Sequence, residues 1–381
     1  MNIFNVDLNG ENLSLKDLIQ FAETKAVTTS ILKEYLAVSI LEDENVLSQV
    51  CEMTQNVGNS LKAMVLEDLN YLWEEMSKPI LEGYVPSLKR ELLFKEFEQS
   101  IKSIVSSGTP EEMMDALISH YSKFGAGKNA QFIAFRWKNG LNGVESPDDI
   151  TLDELFCLNN QKEELIKNTC LFLQGLPANN ALLYGDSGSG KSSMVKALLN
   201  KFYKDGLRLV EIPKASLGEL ALLMDHVKNK RFKYIIFVDD LSFEKDDIGY
   251  KNLKVVLEGQ IEKQPQNVLL YATSNRRHII SETWLQRQGD EVHVRDTMNE
   301  KFSLSERFGL RVHFSSPNQE VYFKIIEGIL AKDDIPLTDE IKAEAVKWEL
   351  SHNGRSGRAA AQFAKMIVLS KSLFQGLGDI R

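Results

Sequence analysis

One eight-residue run constrains this chain more than any other: Gly185-Asp186-Ser187-Gly188-Ser189-Gly190-Lys191-Ser192. It matches the pattern G-x-x-x-x-G-K-[ST] in full. Glycines at this spacing let the backbone curl until successive N–H groups point inward, which makes a concavity for anions. The apolar stretch Ala181-Leu182-Leu183-Tyr184 precedes the run, and Met194-Val195-Lys196-Ala197-Leu198-Leu199 follows it. Strand, loop and helix is the setting the pattern needs. A helix beginning near Lys191 adds its positive end to the same concavity. Lys191 then meets the outer phosphates of a nucleotide as a point charge. Ser192 offers its hydroxyl to Mg²⁺, which keeps most of its other ligands as water and phosphate. The expected phosphate-side residues are Gly185, Asp186, Ser187, Gly188, Ser189, Gly190, Lys191, Ser192 and Ser193. Gly125-Ala126-Gly127-Lys128 lacks the first glycine of the pattern and has Asn129 where the hydroxyl belongs, so it reads as a turn.

The texture of the chain changes around this run. Residues 11–106 are helical in pattern, with Leu61, Met64, Val65, Leu69, Leu72 and Trp73 near helical spacing and no Gly or Pro within 59–77. Thr109 is placed to cap a further helix, with Pro110 at its first position and Glu111 and Glu112 at its positive end. A short strand is expected over 131–137, then a turn region from Asn139 to Gly143. From about residue 151, apolar runs at 181–184, 208–212, 234–238, 267–272 and 311–314 alternate with helical stretches at 191–203, 217–227 and 250–261. That alternation predicts a parallel α/β sheet. After Phe314 the strands stop, and helices are expected from Ser316-Pro317 to about residue 330, over 338–351 and over 357–375. The expected domains are therefore a helical N-terminal domain (1–125), a strand and linker (126–150), an α/β core (151–315) and a helical C-terminal lid (316–381).

A second acidic element follows the first. Tyr234-Ile235-Ile236-Phe237-Val238 is an apolar strand ending in Asp239-Asp240. It is expected beside the phosphate-loop strand, with Asp239 orienting Mg²⁺ and Asp240 where many ATPases carry a glutamate that polarises the attacking water. Aspartate is one methylene shorter, so Glu244 is a second candidate for that role. The next strand ends in Thr273-Ser274-Asn275. Ligands lie beyond the carboxyl ends of parallel strands, so Asn275 is placed to hold the water or sense a phosphate. Two arginine clusters remain, Ser305-Glu306-Arg307-Phe308 and Gly354-Arg355-Ser356-Gly357-Arg358.

Taken in order, these features resemble the AAA+ P-loop ATPases, and most closely a group of uncharacterised bacterial AAA+ proteins known only as a domain of unknown function. The runs that carry the resemblance are Asn179-Asn180-Ala181-Leu182-Leu183-Tyr184-Gly185, Phe237-Val238-Asp239-Asp240-Leu241-Ser242-Phe243-Glu244, and Tyr271-Ala272-Thr273-Ser274-Asn275-Arg276-Arg277-His278. Ser303-Leu304-Ser305-Glu306-Arg307-Phe308-Gly309-Leu310 and the Gly354 to Arg358 run complete it. It covers about residues 150–376 and not 1–120. It implies a five-stranded parallel core with a helical lid, binding of ATP and Mg²⁺, and ATP hydrolysis. It also implies assembly into a ring or partial ring. By the same resemblance Lys191 and Ser192 are the phosphate cation and metal ligand, and Asp239 the metal-side acid. Asn275 is the first sensor, Arg307 a finger reaching a neighbouring subunit's ATP, and Arg358 the second sensor. Residues 152–161 cradle adenine. Asp240 departs from the usual glutamate and puts the hydrolysis rate in question.

Composition narrows what such an engine acts on. A net charge of -9 argues against a surface coated for DNA, and the basic stretch Lys128, Arg136, Trp137, Lys138 reads as a strand edge with solvated lysines ahead of a nucleic-acid contact. The Asn229-Lys230-Arg231-Phe232 segment lacks the aspartate of a guanine-reading motif. Cys51, Cys157 and Cys170 are scattered, in neither a metal pattern nor a disulfide framework, and read as buried or inert thiols. No secretory signal or membrane span is visible, so a cytoplasmic protein is expected. Two functions stand against each other. One is an oligomeric ATPase that remodels or loads an unknown macromolecular partner, recognised by the N-terminal helices. The other is a slow or non-hydrolysing nucleotide-gated binding module.

Overall fold

The computed structural model describes residues 3–4, 14–24, 30–54, 56–78, 80–81, 84, 95–241, 253–254, 257, 264–275, 305–352 and 354–378. The chain divides into two compact units. The first comprises residues 1–133, 142–147 and 229–231, and the second comprises 134–141, 148–228 and 232–381.

The first unit is helical: α1 (Leu15–Thr24), α2 (Ile31–Glu42), α3 (Val46–Met53), α4 (Asn59–Met76), α5 (Lys95–Val105), α6 (Pro110–Phe124) and the short α7 (Lys128–Gln131). Its core is drawn from the periodic apolar positions, among them Leu36, Ile40, Val65, Leu69, Leu72, Leu117 and Tyr121. The Thr109 cap forms as expected, with its hydroxyl accepting from Glu112 N at 3.2 Å and Pro110 opening the helix. Helix α3 opens on a reciprocal cap between Asn45 and Ser48. Tyr121 is fully buried, and its hydroxyl donates to Ile40 O at 2.6 Å, which ties α6 to α2.

The second unit is built on the sheet. The strands of the sheet are β1 (Ala134–Trp137), β2 (Leu141–Gly143), β3 (Ala181–Gly185), β4 (Leu207–Glu211), β5 (Lys233–Val238), β6 (Val268–Ser274) and β7 (Leu310–Phe314). The order is β2-β1-β4-β5-β6-β3-β7, so among the described residues the sheet has seven strands rather than the five expected. The extra strands come from the segment read as strand and linker: β1 pairs parallel to β4, with Phe135 opposite Val210. The Trp137 indole anchors that edge by donating to Glu219 Oε2 at 2.7 Å.

A second expectation is corrected by the same order. β5, the acidic strand, pairs with β4 and β6 and does not lie beside β3. β6 pairs with both β5 and β3, so its end lies between the acids and the phosphate loop. The register aligns the carboxyl ends: Tyr184 faces Ser274, Gly185 faces Phe314 and Val238 faces Ala272. Residues 234–238 are buried throughout, as a strand covered on both faces must be.

The helices of the second unit are α8 (Asn159–Leu173), α9 (Lys191–Phe202), α10 (Leu220–Val227), α11 (Gln319–Leu330), α12 (Asp339–Ser351) and α13 (Gly357–Gly378). Tyr322, Ile326 and Leu330 of α11 pack with Ala360, Phe363 and Ala364 of α13 in a small core of their own. Of the helix expected over 250–261, only residues 253–254 and 257 fall among those described. Among the described residues, no helix is long and apolar enough to cross a membrane.

Candidate nucleotide site

The loop from β3 to α9 curls because its glycines allow it. Gly185, Gly188 and Gly190 have φ of 138°, 72° and 98°. A Cβ on Gly185 would lie 1.8 Å from Phe314 O, so no other residue fits where the loop leaves the sheet. Lys191 is buried at the first position of α9, and its ammonium donates to the carbonyls of Gly185 at 2.9 Å and Asp186 at 2.6 Å. Burial pushes its pKa down, and the charges of Asp186, Asp240 and Asp239 oppose that shift. The Asp186 side chain accepts from Ser316 N at 2.8 Å. Hydrogen bonds from Ser316 hold its carboxyl below the usual range.

Beyond the ends of β5 and β6, the polar side chains meet one another. The Ser192 hydroxyl donates to Asp239 Oδ1 at 2.6 Å. Thr273 donates to the same oxygen at 2.5 Å. Asn275 Nδ2 donates to Asp240 Oδ1 at 2.8 Å. Asp240 itself has φ of 52°, in the left-handed region. Ser192 and Asp239 are hard oxygen donors within hydrogen-bond reach of each other and next to the loop. That donor set fits Mg²⁺, which takes one or two protein ligands and completes its shell with phosphate and water.

These groups line one cavity of about 730 Å³. Its other end is apolar, walled by Phe156, Cys157 and Leu158 and by Val321, Ile325 and Ile329 of α11. Of the 152–161 segment, Glu154, Leu155, Phe156, Cys157, Leu158 and Gln161 line the cavity. Helix α11 closes on it because Gly328 has no side chain: a Cβ there would lie 2.4 Å from the Phe156 ring. Cys157, expected as a buried or inert thiol, is exposed with φ of 60°. Helix α13 reaches the loop from the third side, where Arg358 N donates to Gly188 O at 3.1 Å. A Cβ on Gly357 would lie 3.2 Å from that carbonyl oxygen.

The cavity gathers Ser187 to Ser193, Asp239, Asp240, Asn275 and Arg358. Arg307 is exposed and is not among the lining residues. Glu244 lies outside the described residues. Three contributors were not singled out from sequence: Thr273, Ser316 and the apolar face of α11. For Thr273 the signal was present, since it stands two residues before Asn275 in a run already suspect. The other two depend on long-range packing that no local pattern carries.

A sheet with β6 between the phosphate-loop strand and the acidic strand, a lid of three helices, and these side chains at their common edge define a P-loop protein of the AAA+ type. The family model described as "Protein of unknown function (DUF815)" matches residues 130–371, and the chain belongs to that family. Comparison with curated proteins returns no match. Among solved structures, a variant of RuvB from Thermotoga maritima is similar at 15% identity and a TM-score of 0.41, over 59% of this chain and 67% of that one. The T. maritima RuvB Holliday junction branch migration motor is similar at 16% identity and a TM-score of 0.38, over 57% and 63% of the two chains. The strand order and the site geometry, rather than these likenesses, place the fold.

Proposed function

We propose that this chain binds Mg·ATP in the cavity, hydrolyses it, and uses the nucleotide state to act on a macromolecular partner in the cytoplasm. One observation carries the reading: a polar end built on Lys191, Ser192, Asp239, Asp240 and Asn275 is continuous with an apolar end large enough for a base. Backbone N–H groups of the loop and the Lys191 ammonium would hold the phosphates, with Arg358 approaching from α13. Ser192 and Asp239 would hold Mg²⁺, which supplies charge neutralisation across the phosphate oxygens. Asp240 would orient the attacking water, with its other oxygen held by Asn275. Residues 152–161 and α11 exclude water from the base.

Arg307, exposed and away from the cavity, fits a group that completes a neighbouring subunit's site, so the working form would be a homo-oligomer, a ring or partial ring. The helices within 1–125 are the proposed partner-recognition region, the 126–150 segment joins them to the 151–315 core, and 316–381 is the lid. The second reading, a slow nucleotide-gated module, is favoured by the Asn275 contact, which competes with water for the short Asp240 carboxylate.

Replacing Asp240 separates binding from chemistry. Asp240→Asn is expected to lose phosphate release by about 10²-fold or more while binding Mg·ATP as the parent does. Unchanged phosphate release in Asp240→Asn would move the water-orienting role to Glu244. A parent protein that binds ATP without measurable turnover would favour the second reading.

A further inference from the structure

Three hydrogen bonds converge on Thr273, which is 1% exposed at the end of β6. Its hydroxyl donates to Asp239 Oδ1 at 2.5 Å. The backbone N–H of Asp240 donates to that hydroxyl oxygen at 2.9 Å. The backbone N–H of Leu241 donates to the Thr273 carbonyl at 2.7 Å. A threonine hydroxyl has one proton and two lone pairs. The amide of Asp240 occupies a lone pair, and the proton goes to Asp239, so the relay has one direction.

The backbone of Asp240 gives the relay its purpose. A φ of 52° is disfavoured for a residue with a Cβ and persists only where the surroundings over-determine it. The bonds to Thr273 from Asp240 N and Leu241 N bracket that residue and hold the turn. Asn275 acts differently, through the Asp240 side chain alone.

We propose that Thr273 is the positioning residue of this site: one buried hydroxyl sets the Asp239 carboxylate for the metal and the Asp240 backbone for the water. The inference rests on the Mg·ATP reading above. It makes the two acids a coupled pair, so that loss of one hydroxyl disturbs metal binding and chemistry together and leaves the phosphate loop intact.

The experiment compares Thr273→Val, which keeps the shape and removes the hydroxyl, with Thr273→Ser, which keeps the hydroxyl. ATP binding to the full chain is measured by calorimetry in EDTA and across a MgCl₂ titration, with phosphate release alongside. Thr273→Val is expected to bind metal-free ATP as the parent does, to need about tenfold or more Mg²⁺ for its half-maximal effect, and to lose kcat with little change in KM. Thr273→Ser is expected to stay within about twofold of the parent in each. A parent-like Mg²⁺ dependence in Thr273→Val overturns the proposal, as does a Thr273→Ser variant equally impaired, since that points to methyl packing. Should Thr273→Val fail to fold, Thr273→Ala is titrated in its place, and an unshifted Mg²⁺ dependence there overturns the proposal equally. A parent protein whose ATP affinity ignores Mg²⁺ overturns this inference alone, whereas one that binds no ATP overturns the proposed function beneath it.

Discussion

The carboxyl end of the sheet and the surroundings of His120 in the helical unit treat buried polar groups in opposite ways. At the sheet, Lys191 and Thr273 are buried, and each is held by named partners at 2.5–2.9 Å. In the helical unit, His120 is 2% exposed, and neither ring nitrogen has a hydrogen-bond partner among the described residues. It is surrounded by the rings of Phe97, Tyr121 and Phe124, 5.4–5.9 Å away. An unsatisfied polar group in a core specifies no geometry, whereas a satisfied network fixes one. The difference separates a region built to hold atoms in place from one built to keep helices together. Substitutions at the sheet edge should therefore change chemistry with little effect on stability, and those in the helical core should do the reverse.

The largest expected effect probes a residue outside both regions. If Arg307 supplies charge stabilisation to a neighbour's γ-phosphate, Arg307→Ala should lower turnover by about 10³-fold while ATP binding stays intact. Activity per subunit of the parent should rise with protein concentration, and mixing Arg307→Ala with Lys191→Ala should restore part of it. A phosphate-release assay over a dilution series reads both. Flat activity down to concentrations where sizing shows only monomer would return Arg307 to the solvated surface.

A smaller effect sharpens the contrast from the helical side. Burial pushes the His120 imidazole down to about 3 from its ordinary 6.5. The unfolded chain therefore takes up a proton below pH 6.5 that the folded chain refuses until about pH 3. The contribution of this residue is full above pH 6.5 and is lost as pH falls toward 3, at about 1.4 kcal/mol per pH unit. Urea unfolding of the parent and of His120→Phe between pH 7 and 4.5 should show a steeper loss in the parent, with equal ATP affinity at pH 7. Parallel slopes would mean that water reaches the imidazole.

How much of this could be read from the residues follows the same divide. The phosphate loop was legible because glycine and lysine at fixed spacing have few other uses, and the acids and Asn275 because they end apolar runs. Helix α6 was legible through the local chemistry of Thr109 and Pro110. The place of β6 between β3 and β5 was not, because strand order is set by pairings distant in sequence; Tyr184 meets Ser274, and Phe135 meets Val210. The closure of α11 on Phe156 hangs on the missing side chain of Gly328, which a periodic reading of the helix passes over. Thr273 was legible only in part: it stands two residues before Asn275, but its hydroxyl is buried and its partners, Asp239 and Asp240, follow another strand.

The account stands on the phosphate loop as the place where nucleotide is held, and Lys191→Ala tests that most directly. Calorimetric titration of Mg·ATP into the parent and the variant should show affinity weakened at least tenfold, about 1.4 kcal/mol or more, with the fold confirmed by an unchanged far-ultraviolet spectrum. A folded Lys191→Ala protein that binds Mg·ATP as tightly as the parent would contradict the central claim.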